Sequence, residues 1–280
     1  MTLIAAYSYG HNNTVFAHDF RTSSKSRGLR ADNAFKFVHL GKSTGLFLAG
    51  DVNGWNTIFK KESTKLKEVR DEDFLEEFLE ILRSYATSST PLLNTGGTLS
   101  ALGFVIEKTS GSNKSFHIDY VQGYGATIRE LEKDRVYLIG SGANIEGLEK
   151  HLNIYLSNYT SDQDRPLHQK EPYLVSSIFE TAIKDYIKNL NDPSIYQKKG
   201  ISNVFSYSYL KNGYFEICSY SDQEFLKGEK MPRQFIFKKD EQQNPVLVDK
   251  TNDIISKLYP LNDLVLKESI VIDPFKREKP

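Results

Sequence analysis

One cysteine stands in 280 residues, Cys218, and a lone cysteine excludes any intrachain disulfide. That usage fits a reducing cytosol and predicts a buried, inert thiol. Net charge is missing too. The 36 basic residues balance 36 acidic ones, so nothing in the charge favours nucleic acid or an acidic substrate. No window approaches the roughly 18 consecutive apolar residues of a membrane-spanning helix. No basic segment followed by an apolar run opens the chain, which predicts no signal peptide. The sequence carries no internal repeat and no low-complexity tract. Its six histidines, His11, His18, His39, His117, His151 and His168, show no metal-ligand spacing such as His-Glu-x-x-His, so neither metal nor cofactor is expected. Gly140-Ser141-Gly142 follows an apolar strand, but Ile145 stands where a dinucleotide fingerprint needs its third glycine.

What is present is enough for a core: 39% hydrophobic residues, with 16 Tyr and 17 Phe. The length suits one large domain. An apolar strand from Leu3 to Tyr9, a turn at Gly10-His11-Asn12-Asn13 and a returning strand through Ala17 form a hairpin. Residues 45–49 form a further apolar strand that Gly50 ends. Asp51-Val52-Asn53 opens a helix with Trp55, Ile58 and Phe59 on one face, where Trp55 reads as a packing residue. A charged linker is expected at 60–70. A stronger helix follows, capped by Asp71 or Asp73 and closed by Thr87-Ser88-Ser89-Thr90-Pro91. Strands at 99–106, 116–121 and 136–139 come next, then helices at 144–155 and 173–190. A hairpin at 204–220 turns on Lys211-Asn212-Gly213. Strands, two helices, strands, two helices, strands is the order that two antiparallel sheets covered by helices produce. Beyond 220, short strands at 234–237 and 245–248 and a short helix at 252–258 are expected, with a disordered tail at 276–280.

Thr2 sits behind the initiator methionine, and its small side chain permits methionine removal. A free N-terminal threonine joins a nucleophile and a base in one residue, because its α-amine has an unperturbed pKa of about 7.7–8.0. The hairpin returns Asp19 beside the start of the first strand. Lys36 then interrupts an apolar strand, Phe35-Lys36-Phe37-Val38.

These residues together resemble the proteasome β-type, N-terminal nucleophile hydrolase family, including the bacterial proteasome-like peptidases. The family pattern is an N-terminal Thr, an Asp-x-Arg after the first hairpin, a Lys in the next strand and an Ala-Gly at the end of the one after. Here these are Thr2, Asp19-Phe20-Arg21, Lys36 and Ala49-Gly50, with Gly140-Ser141-Gly142 as the later motif. The Lys36-to-Gly50 interval matches without a gap. The resemblance implies an α+β, four-layer αββα sandwich over residues 2–220, with 221–280 as an extension packing on the core or on a neighbouring subunit.

By that resemblance Thr2 is the nucleophile, Lys36 lies near its hydroxyl, Asp19 orients Lys36, and Gly50 offers its backbone N–H to the oxyanion. Ser141 lies near the amine as a proton relay or caps the following helix, and Arg21 is structural. A further acid is implied near the amine. Asp185 matches by its Lys184-Asp185 context, while Asp192 is nearer a turn, and Gly200-Ile201-Ser202 stands where the family has Ser-Gly-Gly. The implied activity is that of a cytoplasmic threonine endopeptidase acting on peptide or unfolded protein inside a homo-oligomeric ring, with a partner ATPase raised by the resemblance alone. An amidase acting on a small amide, or an inactive scaffold subunit, are the alternatives. The rim of the site, 22–30 and 50–53, suggests only polar, basic character.

Overall fold

A computed structural model of the chain describes residues 2–10, 12–24, 29–32, 34–40, 43–107, 112–161, 171–190, 192, 194–202, 205–217, 220–224, 233–239, 241, 245–249, 254–257 and 259–260. Cys218 and the tail at 276–280 lie outside the described residues. Strands β1 (Ile4–Tyr9) and β2 (Asn13–Asp19) pair antiparallel, with Ile4 opposite His18 and Tyr9 opposite Asn13. A hairpin of β3 (Arg21–Ser24) and β4 (Leu29–Asp32) follows, then β5 (Ala34–Phe35), β6 (Phe37–Leu40) and β7 (Thr44–Gly50). Helices α1 (Val52–Glu68) and α2 (Phe74–Ala86) lead to β8 (Thr98–Ile106), β9 (Asn113–Val121), β10 (Gly125–Glu130) and β11 (Arg135–Ile139). A 3-10 turn at Ser141–Asn144 precedes α3 (Leu148–Ser161), α4 (Pro172–Asn189), the short α5 (Ile195–Lys199), β12 (Phe205–Lys211) and β13 (Tyr214–Ile217).

Two five-stranded antiparallel sheets result, ordered β11-β1-β2-β12-β13 and β10-β9-β8-β7-β6. Alternation decides which side chains each face presents. Leu3, just before β1, and Ala5, Tyr7, Val15 and Ala17 of β1 and β2 pack with Leu152 of α3 and Phe179 and Ile183 of α4. Their neighbours Ile4, Ala6 and Phe16 turn the other way, onto Phe37, Phe47, Leu102 and Phe104 of the second sheet. The far face of that second sheet is covered by Trp55, Phe59, Phe78 and Leu82 of α1 and α2. The four layers therefore form an α+β, αββα sandwich. Strands covered on both faces read as unbroken apolar runs, which is why β1 shows no polar alternation. The layer between the sheets is aromatic: Phe16 and Phe47 stand 4.8 Å apart, Phe37 and Phe47 5.0 Å, and Phe104 and Phe215 4.5 Å. Each buried Phe contributes about 1.5–3 kcal/mol relative to exposure.

Several sequence expectations need correction. The stretch expected as a charged linker from Lys60 is helix as far as Glu68. Its Lys and Glu residues are good helix formers, buried Leu66 anchors that end, and Lys65 pairs with Glu77 of α2 at 2.9 Å. Asp51 does cap α1, accepting from the Gly54 N–H at 3.0 Å, whereas Asp73 at the start of α2 pairs with Arg70 instead. Strand β10 escaped notice because it is an edge strand, with only its Ala126 side covered. The helix expected at 252–258 contains a strand, β17 (Ile254–Lys257), where paired β-branched residues favour the sheet. It completes a separate four-stranded sheet, β14-β15-β16-β17, with β14 (Tyr220–Glu224), β15 (Arg233–Lys239) and β16 (Pro245–Asp249). Beyond it β18 (Tyr259–Pro260) pairs parallel with β5, so the C-terminal extension meets the core directly before Lys36. Among the described residues, no helix is long and apolar enough to cross a membrane.

Candidate active site

The β1–β2 register decides where the N-terminus lies. With Ile4 opposite His18, the next step of the ladder carries the Asp19 N–H onto the Leu3 carbonyl, at 3.1 Å. On the other side β1 pairs with β11, Ile4 opposite Ile139, so the chain leaving β11 passes Thr2. There the Gly142 N–H donates to the Thr2 carbonyl at 2.9 Å. Gly140 has a φ of +84°, and a Cβ on it would stand 2.4 Å from that carbonyl oxygen and 2.5 Å from Cγ2 of Thr2. Only glycine fits between the turn and the threonine.

Thr2, Asp19 and Lys36 are all buried. The Thr2 hydroxyl donates to Oδ1 of Asp19 at 2.6 Å, and the Lys36 ammonium reaches the same oxygen at 2.5 Å and the Asp19 carbonyl at 2.7 Å. The Leu3 N–H adds a third donor to Oδ1 at 2.8 Å, and the Ser202 N–H donates to Oδ2 at 2.9 Å. Burial pushes the Asp19 carboxyl upward, but the Lys36 charge and the hydrogen bonds from Lys36, Thr2 and Leu3 outweigh it and hold the group below its ordinary range. The carboxylate thus stays ionised. Lys36 meets the hydroxyl through a shared carboxylate oxygen. It occupies a break between β5 and β6 and is held there by its backbone, whose carbonyl accepts from the Leu48 N–H at 2.9 Å.

The Thr2 nitrogen donates to the Ser141 hydroxyl at 3.0 Å, and that hydroxyl donates to the Lys199 carbonyl at 2.6 Å. This nitrogen is an amide while Met1 remains and a free amine once Met1 is gone. Gly50 closes β7 with a φ of +101°, and a Cβ there would stand 2.7 Å from the Thr98 carbonyl. Because the Leu48 N–H points to Lys36, strand alternation carries the Gly50 N–H to the same side, past the start of β6.

Thr2, Asp19, Lys36 and Ser141 are therefore brought together, with Gly50 at the adjoining strand end. Asp185 and Asp192 are not. Asp185 lies on α4 beside Tyr155 of α3, where it helps burial and Tyr159 raise the tyrosine's pKa. Asp192 accepts from the Ser194 N–H at 3.0 Å and from Lys198 at 2.9 Å, fastening the start of α5. The Lys199 carbonyl accepts from the Ser141 hydroxyl that the Thr2 nitrogen meets. Sequence reading missed Ser202, whose hydroxyl accepts from the Phe20 N–H at 3.1 Å while its own N–H holds Asp19. The one signal for it was the Gly200-Ile201-Ser202 turn. His18, next to Asp19, points between the sheets onto Phe20 and Phe47, as alternation requires. The side chain of Arg21 lies outside the described residues. Among the described residues, no three His, Cys, Asp or Glu side chains are grouped to hold a metal.

No family model matches this chain, and no curated protein matches it. Among solved structures, it is similar to the crystal structure of eukaryotic HslV from Trypanosoma brucei, at 16% identity and a TM-score of 0.48, over 75% of this chain and 99% of that one.

Proposed function

We propose that the chain is an N-terminal threonine peptidase that cleaves peptide bonds through an ester on Thr2. The observation that carries this reading is the convergence of the Thr2 hydroxyl and the Lys36 ammonium on one oxygen of buried Asp19, with the Thr2 nitrogen on Ser141. After Met1 is lost, the neutral α-amine takes the proton as Oγ1 attacks the substrate carbonyl. Asp19 is a weak base because its pKa is lowered, so the amine is the better acceptor. The ammonium of Lys36 favours both the developing alkoxide and the neutral amine. The Gly50 N–H receives the oxyanion, a donor whose loss costs about 2.7–4 kcal/mol of transition-state stabilisation. The amine then gives its proton to the leaving nitrogen as the C–N bond breaks, leaving an ester on Oγ1. Water, activated by the same amine, attacks that ester and frees Thr2.

The family resemblance of the motif residues supports the rest of the proposal: residues 2–220 as the catalytic domain, 221–280 as its extension, assembly into a cytoplasmic homo-oligomeric ring, unfolded protein or peptide as substrate, and a regulatory ATPase as partner. The experiment is the intact mass of protein expressed without an N-terminal tag, followed by peptide hydrolysis before and after Thr2→Ala. A mass lacking methionine, with turnover abolished by Thr2→Ala, is the expected result. A retained methionine leaves the Thr2 nitrogen an amide and moves the assignment to an inactive scaffold subunit. Turnover of small amides without peptides moves it to an amidase.

A further inference from the structure

Trp55 is the sequence's one tryptophan. It is buried in the first turns of α1 and stacks on Phe59 at 5.7 Å, as a packing residue does. Its indole N–H does more than fill space, because it donates to the Ala49 carbonyl at 2.9 Å. That oxygen and the Gly50 N–H belong to one peptide unit. The bond is trans, so its C=O and N–H point to opposite sides of a rigid plane. Holding the oxygen toward α1 therefore turns the N–H away from α1, to the side where the Leu48 N–H meets Lys36.

The β7–β8 ladder also carries this peptide, with Ala49 opposite Ser100 and Gly50 opposite Leu99. Glycine at position 50 nevertheless frees φ on one side of it, and β7 ends there, so no strand residue beyond Gly50 adds to the hold. An oxyanion donor accelerates a reaction only if it already points at the developing charge. We propose that Trp55 is a positioning residue for this site: its indole N–H holds the Ala49–Gly50 peptide so that the Gly50 N–H faces the reacting carbonyl. This rests on the Thr2 hydrolase reading. It adds to that reading a residue on the opposite face of the second sheet, reaching the chemistry through one peptide plane. The competing explanation is that the carbonyl merely satisfies a buried indole N–H, and that role would leave the kinetics untouched.

The test exploits two singularities of the sequence. Because Trp55 is the sole tryptophan, growth of an auxotroph on benzothienylalanine replaces its N–H with sulfur at that position alone, keeping the ring shape. Trp55→Phe is the companion variant. Because Ala49-Gly50 is the sole Ala-Gly step in the sequence, labelling with carbonyl-13C alanine and 15N glycine gives one carbonyl-to-amide NMR cross-peak, which reads that peptide directly. The expected result is a displaced cross-peak and a kcat lowered about tenfold with KM held, a fraction of the 10²–10³-fold that loss of the oxyanion donor itself costs. An unmoved cross-peak overturns the inference whatever the kinetics, and so does a displaced cross-peak with kcat unchanged. If Trp55→Phe does not fold, the sulfur analogue carries both readouts. Absence of Thr2-dependent turnover in the unsubstituted protein is a separate failure: it removes the hydrolase reading, and this inference with it, before Trp55 is altered.

Discussion

The Lys36 ammonium lies 2.5 Å from Oδ1 of Asp19, with both side chains sealed from solvent. A buried pair of this kind is dear to break from one side only, because the remaining charge has no water to turn to. Lys36→Met is expected to destabilise the fold by about 3–5 kcal/mol. Adding Asp19→Asn to it should recover part of that loss, since the second change removes the stranded charge. Urea unfolding of the two single variants and the double variant decides the point. Strictly additive losses would show that the two groups do not act as a pair.

Acid should destabilise the protein over two successive pH windows, and the sign of each follows from its site. Burial pushes the His18 ring down to about 4, with the Lys36 charge adding to the effect and the hydrogen bond to the Asp19 carbonyl opposing it. Between that value and the ordinary histidine pKa of about 6.5, the unfolded chain binds a proton that the folded chain refuses, so stability falls as pH drops through this window, by about 3 kcal/mol in full. Asp19 is depressed as well. Its stabilisation is present above the unfolded carboxylate value of about 3.9 and is lost as pH falls below it. His18→Phe, which keeps a ring beside Phe20 and Phe47, should flatten the upper window and leave the lower one. His39, also lowered by burial, keeps a residual slope. An unchanged slope in His18→Phe, read from urea midpoints between pH 4 and about 6.5, would remove His18 from this account.

Gly140 and Gly96 share a left-handed backbone but not a neighbourhood. At Gly96, with φ +81°, an added methyl meets nothing within 4 Å, whereas at Gly140 it would strike Thr2. Gly96→Ala is therefore expected to cost only the backbone strain, about 1–2 kcal/mol. Gly140→Ala should cost more and displace the proposed nucleophile. Peptide turnover normalised to folded protein separates the two, with activity kept in the first variant and lost in the second. Comparable activity in both would mean that the turn yields without moving Thr2.

What could be read from the sequence, and what could not, divides along a physical line. The first hairpin, both helix pairs and the order of strands and helices along the chain were legible because each lies in an apolar pattern, and strands covered on both faces made long unbroken runs. Thr2 and Asp19 could be placed together because a two-residue period and one hairpin turn bring the end of β2 back to the start of β1, whereas Lys36 stood out only as a charge in an apolar strand and was placed by the family resemblance. Asp185 was misread because context in the chain says nothing about which face of α4 a carboxylate occupies. Ser202 and the Lys199 carbonyl were hidden for a related reason: they act through backbone groups, which every residue type carries. Trp55 looked like core, and it is core, but the direction of one indole N–H cannot be inferred from spacing. Edge strand β10 failed to register because solvent on one face leaves it a mixed composition.

Ser141 separates a catalytic from a merely structural hydroxyl. Its oxygen accepts from the Thr2 nitrogen and its proton goes to the Lys199 carbonyl, so it joins the N-terminus to the end of α5. A hydroxyl accepting from an ammonium favours the charged form and raises the amine's pKa. Removing it in Ser141→Ala should therefore lower that pKa and move the acid limb of the rate profile to lower pH. The plateau rate should fall by about 10²-fold, the lower end of what a positioned proton-transfer group supplies. Ser141→Thr keeps the hydroxyl and should restore both features if the added methyl is accommodated. The measurement is kcat/KM against pH for the unsubstituted chain and both variants. If Ser141 only fastens α5, Ser141→Ala loses stability while the acid limb stays where it was.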